Sequence, residues 1–414
     1  MQLRFRQKDP SVNSVGTDFR NSLAGVLLVA NSFIWYLYAG RLLTEITLNS
    51  GFSGYQVTVV WGLNILGTAS AAVFGFFVSG NFKKRISFLR YWLLAGIPLS
   101  LMPLAIDVTG LQSLIFFFTF VGVYFGVGMP VSLAYFAQVT RETNRSRLGG
   151  ITFLTIFVGV FLLGALGVTN IASNALILAV CKIAGLAVIF VLKPGEKVVP
   201  RGDPRSFGHI ATNRAFILYF VPWIMFSVAN YIGLPIVSQI FPNIFSYSMM
   251  VENVLAGAFA VISGFLGDYM GRKGLVVSGL VFLGLGYSSL GLFPQSIVGW
   301  CFYTAVDGLA WGIFYTIFLM TIWGDIAHGK NAEKYYAIGY LPFLISIFTE
   351  LSLGTSISST VNTTAIFSFI SIFLFLAVLP LAYAPETLPQ KLQQSRELER
   401  YIKQAQRARL RSQS

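Results

Sequence analysis

Twelve long apolar stretches, separated by short polar breaks, dominate this chain. They fall near 21–40, 56–80, 90–106, 111–139, 148–168 and 172–192, and then near 215–238, 247–266, 275–292, 297–323, 337–356 and 362–383. A helix needs about 20 mostly apolar residues to cross the hydrocarbon core of a bilayer. A spanning segment must also satisfy its own backbone hydrogen bonds, which leaves helices or closed barrels. The runs are continuous rather than alternating, so they predict helices and exclude barrel strands. Composition leaves no other solution. Charged residues are 11% of the chain, hydrophobic residues 55%, and mean hydropathy is +0.70, whereas soluble proteins carry about a quarter charged residues. The expected fold class is an all-α membrane protein with twelve transmembrane helices.

A polar stretch, Lys193 to Arg214, divides the spans six and six. The predicted organisation is an N-terminal segment 1–20, a first six-helix bundle 21–192, a linker 193–214, a second bundle 215–383 and a basic tail 384–414. Lys and Arg concentrate in cytoplasmic loops of membrane proteins. With the N-terminus placed in the cytoplasm, only Arg41 of 29 basic residues falls on the far side and only Lys182 falls within a span. Both termini are therefore expected in the cytoplasm, in a multi-pass protein of the cell membrane. The net charge of +13 then reads as attraction to anionic lipid headgroups rather than to nucleic acid, because the basic residues sit in short loops beside spans. No small-residue cleavage site precedes the first span, so no cleaved signal peptide is expected. The tail sets Leu388, Leu392, Leu398, Ile402 and Ala405 among basic residues, which fits either an amphipathic helix on the membrane surface or a solvated terminus.

Two cysteines, Cys181 and Cys301, and two histidines, His209 and His328, make up the inventory for metal or thiol chemistry. That is too little for a zinc site or a disulfide framework. No nucleophile–base constellation accompanies them. Neither an enzyme, a metal nor a cofactor is expected.

Internal repetition is a common construction in membrane carriers, and it is visible here. The loop after the second span reads Gly80-Asn81-Phe82-Lys83-Lys84-Arg85, and that after the eighth reads Gly267-Asp268-Tyr269-Met270-Gly271-Arg272, 187 residues later. Gly150 and Gly339, each just inside the span that follows a basic loop, are 189 apart. The segment Gly264-Phe-Leu-Gly-Asp268-Tyr-Met-Gly271-Arg272-Lys273 matches G-x-x-x-D-x-x-G-R-K at every fixed position. With Arg145-Ser-Arg147-Leu-Gly-Gly150 and Pro385-Glu386-Thr387, the chain resembles the major facilitator superfamily over nearly its whole length. The resemblance implies two pseudo-symmetric six-helix bundles that rock about a central site. It departs from the family at Phe77, Asn81 and Lys84 in the first-half loop. It departs again at Gly122, where many proton-coupled members carry arginine, and at Gln138, where sugar porters carry an acid.

The loop signature has a physical reading as a cytoplasmic gate. Asp268 can accept hydrogen bonds at the start of a neighbouring helix, where the dipole favours an anion. Arg272 can pair with a carboxylate such as Asp325, and Gly271 permits a tight turn. Gly264 and Lys273 complete the candidate gate. The alternative is that these charges only set topology.

A charge deep in a span costs about 2.5–3.5 kcal/mol on insertion scales, so Lys182, Glu252, Asp307 and Glu350 ask for a reason. Tyr303, Asp307, Trp311 and Tyr315 recur every four residues and share one stripe of the tenth span. An acid framed by aromatics can bind a cation by charge and by ring faces, or exchange a proton. The alternative is a structural acid bonded to a neighbouring helix. The resemblance puts all three acids on cavity-lining helices of the second half. It makes the sixth span peripheral, so Lys182 is expected to snorkel or to pair with a backbone carbonyl. Asn31, Trp35 and Tyr38 in the first span, Tyr124, Gly128, Tyr135 and Gln138 in the fourth, and Trp223, Ser227, Asn230 and Tyr231 in the seventh form further polar and aromatic stripes, either cavity wall or packing.

The expectation is a secondary transporter for a small neutral or cationic solute, a sugar or an amphiphilic drug, with protons as a coupling ion. A non-transporting receptor, a lipid scramblase or an uncoupled sugar facilitator on the same fold is the alternative. No arginine lies within a span, which disfavours carriers that need bidentate clamps for phosphate or dicarboxylate.

Overall fold

The computed structural model describes residues 10–80, 82–195, 207–240, 242–328, 331–360 and 363–388. Residues 389–414, on which the amphipathic tail was expected, lie outside that set, as do 1–9 and the linker residues 196–206. All regular secondary structure among the described residues is helical. The first half comprises α1 Pro10–Asn49, α2 Gly54–Ser79, α3 Arg85–Leu101, α4 Leu111–Val139, α5 Arg145–Ala165 and α6 Ile171–Leu192. The second half comprises α7 Arg214–Ile240, α8 Pro242–Met270, α9 Lys273–Leu292, α10 Ile297–Phe314, α11 Ala332–Thr360 and α12 Thr363–Leu376. A five-residue helix, Phe207–Ala211, precedes α7. Eleven helices among the described residues are long and apolar enough to span a membrane. The twelfth, α11, is as long as α4 at 29 residues but carries Glu333, Lys334 and Glu350.

The helices begin and end where the chain's local chemistry dictates, with α1 running well beyond its apolar core at both ends. At the face away from the basic loops, side chains close three helix N-termini. Ser53 and Gln56 form a capping box on α2, Asn170 accepts from the Ala172 and Ser173 N–H groups of α6, and Ser296 accepts from Gly299 N on α10. Each satisfies backbone donors that a helix start otherwise leaves open.

The same helix crossing occurs once in each half. In the first, Gly122 and Gly126 of α4 lie directly on the Asn64 and Thr68 carbonyls of α2. In the second, Gly308 and Gly312 of α10 lie on the Glu252 and Ala256 carbonyls of α8. The α4 and α10 positions are 186 residues apart, and those of α2 and α8 are 188 apart. A Cβ at any of these glycines would strike backbone, so the close approach requires glycine. This also explains the departure at Gly122: a larger side chain would collide with Asn64. The two halves meet along two seams, α5 against α8 and α2 against α11.

Beyond Phe314, α10 continues through π-helical turns at Tyr315–Thr321 and returns to α-helix at Ile322–Ala327. The widened turns leave carbonyls that side chains satisfy. Thr321 Oγ1 donates to Thr316 O at 2.7 Å and the Tyr336 hydroxyl to Met320 O at 2.6 Å. Such π-turns inside α-helices are often found at functional sites.

Candidate functional site

Asp307 sits in α10 with 1% of its surface exposed. The Tyr303 hydroxyl, one turn earlier, reaches Asp307 Oδ2 at 3.3 Å. Tyr303 also meets the Tyr287 hydroxyl at 3.4 Å, and Tyr287 donates to Asn230 Oδ1 at 3.3 Å. A polar chain thus runs from Asp307 through α9 to α7. On the other side, Asp307 lies within electrostatic reach of the Glu252 carboxyl of α8. The two acids form a pair at the crossing of α8 and α10. It forms where Gly308 lets α10 settle on the Glu252 carbonyl.

Glu350 of α11 is half-buried. Tyr231 of α7, beside the Trp311 ring at 6.4 Å, lies within electrostatic reach of Asp307, Glu252 and Glu350 together. Trp311 contacts Phe226, Tyr231, Tyr315 and Phe343 through its ring. Tyr315 stacks on Phe153 of α5 at 4.8 Å and 18°. The aromatic stripe on α10 therefore begins beside the acid pair and ends against the other half.

The first-half residues are arranged otherwise. Trp35 donates to Ser100 Oγ at 2.9 Å, Tyr38 to Asn174 Oδ1 at 2.5 Å, and Asn31 to the Cys181 carbonyl at 2.6 Å. These bonds tie α1 to α3 and α6. Trp223 is likewise enclosed. Its ring stacks on Phe318 at 4.7 Å, and its N–H donates to Gly339 O at 2.8 Å.

Lys182 corrects an expectation. It neither snorkels nor pairs with a carbonyl. Its side chain is wholly buried, and Nζ has no hydrogen-bond partner. The ammonium lies over three rings, Trp35 at 4.1 Å, Trp92 at 4.3 Å and Tyr124 at 4.8 Å. Trp92 and Tyr124 stack at 4.8 Å and bond each other reciprocally, Nε1–H to the Tyr124 carbonyl and the hydroxyl to the Trp92 carbonyl, both at 2.8 Å. The residues of this box are scattered over four helices, so no sequence window contains them.

At the basic face the two halves are latched. Asp268, at the end of α8, accepts from Ser146 N and Arg147 N, both at 3.0 Å. These are orphan donors at the N-terminus of α5, where the helix dipole favours an anion. Gly264, one turn before, lies against the Ser146 and Arg147 backbone. Gly271 turns the chain at φ +106°, a value that L side chains rarely adopt. Arg272 is fully buried and lies 3.4 Å from Asp268 and 3.4 Å from Asp325, and its guanidinium donates to the Glu142 carbonyl of the first half. Lys273 Nζ holds the Ala382 and Ala384 carbonyls at 2.9 and 3.0 Å.

Sequence reasoning did not pair Arg145 with Asp325, although the Arg145 motif stood out. They form a buried ion pair across the halves. Arg85 and Glu333 form another at 2.5 Å. Glu386 accepts from Arg272 N at 2.9 Å and Lys273 N at 3.1 Å, and Thr387 donates to Asp325 at 3.1 Å. Among the described residues, the ion pairs Arg85–Glu333, Arg145–Asp325 and Arg147–Asp268 join the halves, and all three lie at the basic face.

Sequence comparison finds no matching family model and no similar curated protein. Structure comparison does find likeness. The proton:xylose symporter XylE bound to 6-bromo-6-deoxy-D-glucose, from the major facilitator superfamily, superimposes with a TM-score of 0.67. It is 14% identical, and the match covers 90% of this chain and 97% of that one. The human organic anion transporter MFSD10 (TETRAN) gives a TM-score of 0.61 at 14% identity, covering 90% of this chain and all of the other. Identity this low carries architecture and not chemistry. The twelve helices, the repeated crossing and these two likenesses establish that the chain has the major facilitator superfamily fold.

Proposed function

We propose that this protein is a secondary transporter of the cell membrane. It moves a small neutral or cationic, partly apolar solute by alternating access, and the acids Asp307, Glu252 and Glu350 couple that movement to protons. The observation that carries the reading is the placement of three costly carboxyl groups around Tyr231, next to an aromatic wall that ends on the other half. Carboxyl groups buried in membrane helices mark ion and proton pathways. Trp311 and Tyr315 add ring faces suited to a cation. The gate holds the basic face closed, which corresponds to one of the two states that rocking halves require. Acids without a cationic clamp favour a cation or a neutral solute over an anion.

The test is counterflow and gradient-driven uptake in proteoliposomes, with sugars, amino acids and cationic dyes as candidate solutes. Thermal stabilisation of the purified protein selects those worth testing. Accumulation should follow an inward proton gradient and fail in Asp307→Asn. Uptake that ignores both the gradient and that substitution would overturn the coupling. A ligand that stabilises the protein but never exchanges would favour a receptor, and transfer of labelled phospholipid would favour a scramblase.

A further inference from the structure

Away from Asp307, Glu252 and Glu350, both histidines of the chain line a single pocket on the basic face. His209 comes from the short helix before α7 and His328 from the end of α10; Asn213, Asn331, Lys334 and Tyr335 complete its polar lining. The volume is about 210 Å³. That is below the roughly 300–1,000 Å³ of sites for drug-sized ligands and several times the roughly 30 Å³ of one water. The size suits a small polyatomic ion.

The lining specifies its charge. Its described residues offer imidazoles, amides, a phenol and the ammonium of Lys334, which also lies over the Phe76 ring at 4.1 Å, and include no acid. Asn213 Oδ1 accepts from Phe216 N at 3.2 Å, which turns the amide NH₂ toward the Tyr335 hydroxyl, 3.4 Å away. The Asn213 side chain is thereby presented as a donor. Glu142 of the first half has its Oε1 4.0 Å from His328 Nδ1. Glu142 is not part of the pocket lining.

We infer that this pocket binds a phosphate-type oxyanion, either free inorganic phosphate or the phosphate of a lipid headgroup. The site also bears on the gate. Ile326, in the lining, follows Asp325, and Lys334 follows Glu333. Those two acids are the second half's partners for Arg145 and Arg85. An occupant therefore braces both acids and favours the state closed at the basic face. The inference is independent of which solute is carried.

The experiment is thermal unfolding of the purified full chain in detergent, titrated with inorganic phosphate against chloride at matched ionic strength. Saturable binding of labelled phosphate by equilibrium dialysis is measured in parallel. Phosphate should raise the unfolding temperature and chloride should not. His209→Gln and His328→Gln, both exposed and unneeded for packing, should weaken binding tenfold or more together. Nanodiscs of phosphatidylglycerol against phosphatidylcholine separate the two sources. Stabilisation that depends on His209 only with phosphatidylglycerol assigns the site to a headgroup, and stabilisation by phosphate in detergent assigns it to the free ion. No anion-specific effect in either setting, or an effect unchanged in the double variant, overturns the proposal.

Discussion

The Lys182 ammonium sits 4.1 Å above the centre of the Trp35 ring, deep in the first bundle and without a carboxylate beside it. A desolvated cation–π contact contributes about 2 kcal/mol or more. Trp92 and Tyr124 supply two further faces, which offset part of the cost of burying the charge. The chain's own lysine thus fills an aromatic box of the kind that elsewhere holds ammonium ligands.

Lys182→Met should therefore fold. Replacing a buried charge by an apolar side chain of similar length is often neutral or stabilising by about 1–4 kcal/mol. Trp92→Leu should cost about 3 kcal/mol, since it removes a large ring, a hydrogen bond and a cage wall. Unfolding temperatures in detergent decide the matter. A Met variant that fails to fold beside an unaffected Trp92→Leu would refute the cage as the reason for the lysine.

Removing one partner of the Arg145–Asp325 pair strands a buried charge, at a cost of about 3–5 kcal/mol. Arg145→Ala and Asp325→Ala should each destabilise the protein strongly. The double variant should be less harmful than the sum of the two, although Arg272 and Thr387 also lean on Asp325. A double-mutant cycle on unfolding free energy measures this; strict additivity would contradict the pairing.

Asp307→Asn and Glu252→Gln each neutralise one member of the acid pair. Each should abolish accumulation driven by a proton gradient while leaving counterflow largely in place. The double variant should be no worse than either single one, because the carboxyls act together. Full additivity in the logarithm of uptake rate would show that they act separately.

Glu386 closes the N-terminus of α9 with both carboxylate oxygens. Glu386→Ala should cost about 0.5–2 kcal/mol, as lost helix caps do. The measurable consequence is faster backbone hydrogen exchange at the start of α9. Exchange identical to the parent protein would show that Glu386 does not hold the start of α9.

Much of this architecture could be read before folding. Hydrophobic run length is a one-dimensional signal, so each of the twelve runs is found as a helix; apart from the extended α1, the bounds differ by no more than five residues once the continuation of α10 to Ala327 and the short helix Val378–Tyr383 after α12 are included. The contacts of the loop signature were legible for a similar reason. Asp268, Gly271 and Arg272 act within one helix turn and one loop, and the helix start they serve is marked by Arg145 and Arg147. The stripe Tyr303–Asp307–Trp311–Tyr315 followed from helical spacing, and the structure keeps Tyr303 bonded to Asp307.

What no spacing rule could supply was which helices would touch. Helical periodicity names the face of one helix and is silent about its neighbour. The pairing of Glu252 with Asp307, the box around Lys182 from α1, α3, α4 and α6, and the enclosure of Trp223 in the second bundle are contacts between distant segments. In a membrane every helix is apolar, so the pattern that reveals a buried face in a soluble protein is nearly absent. Close packing at small residues, as at Gly122 and Gly308, decides which faces meet, and those meetings determine where each costly charge finds its partner.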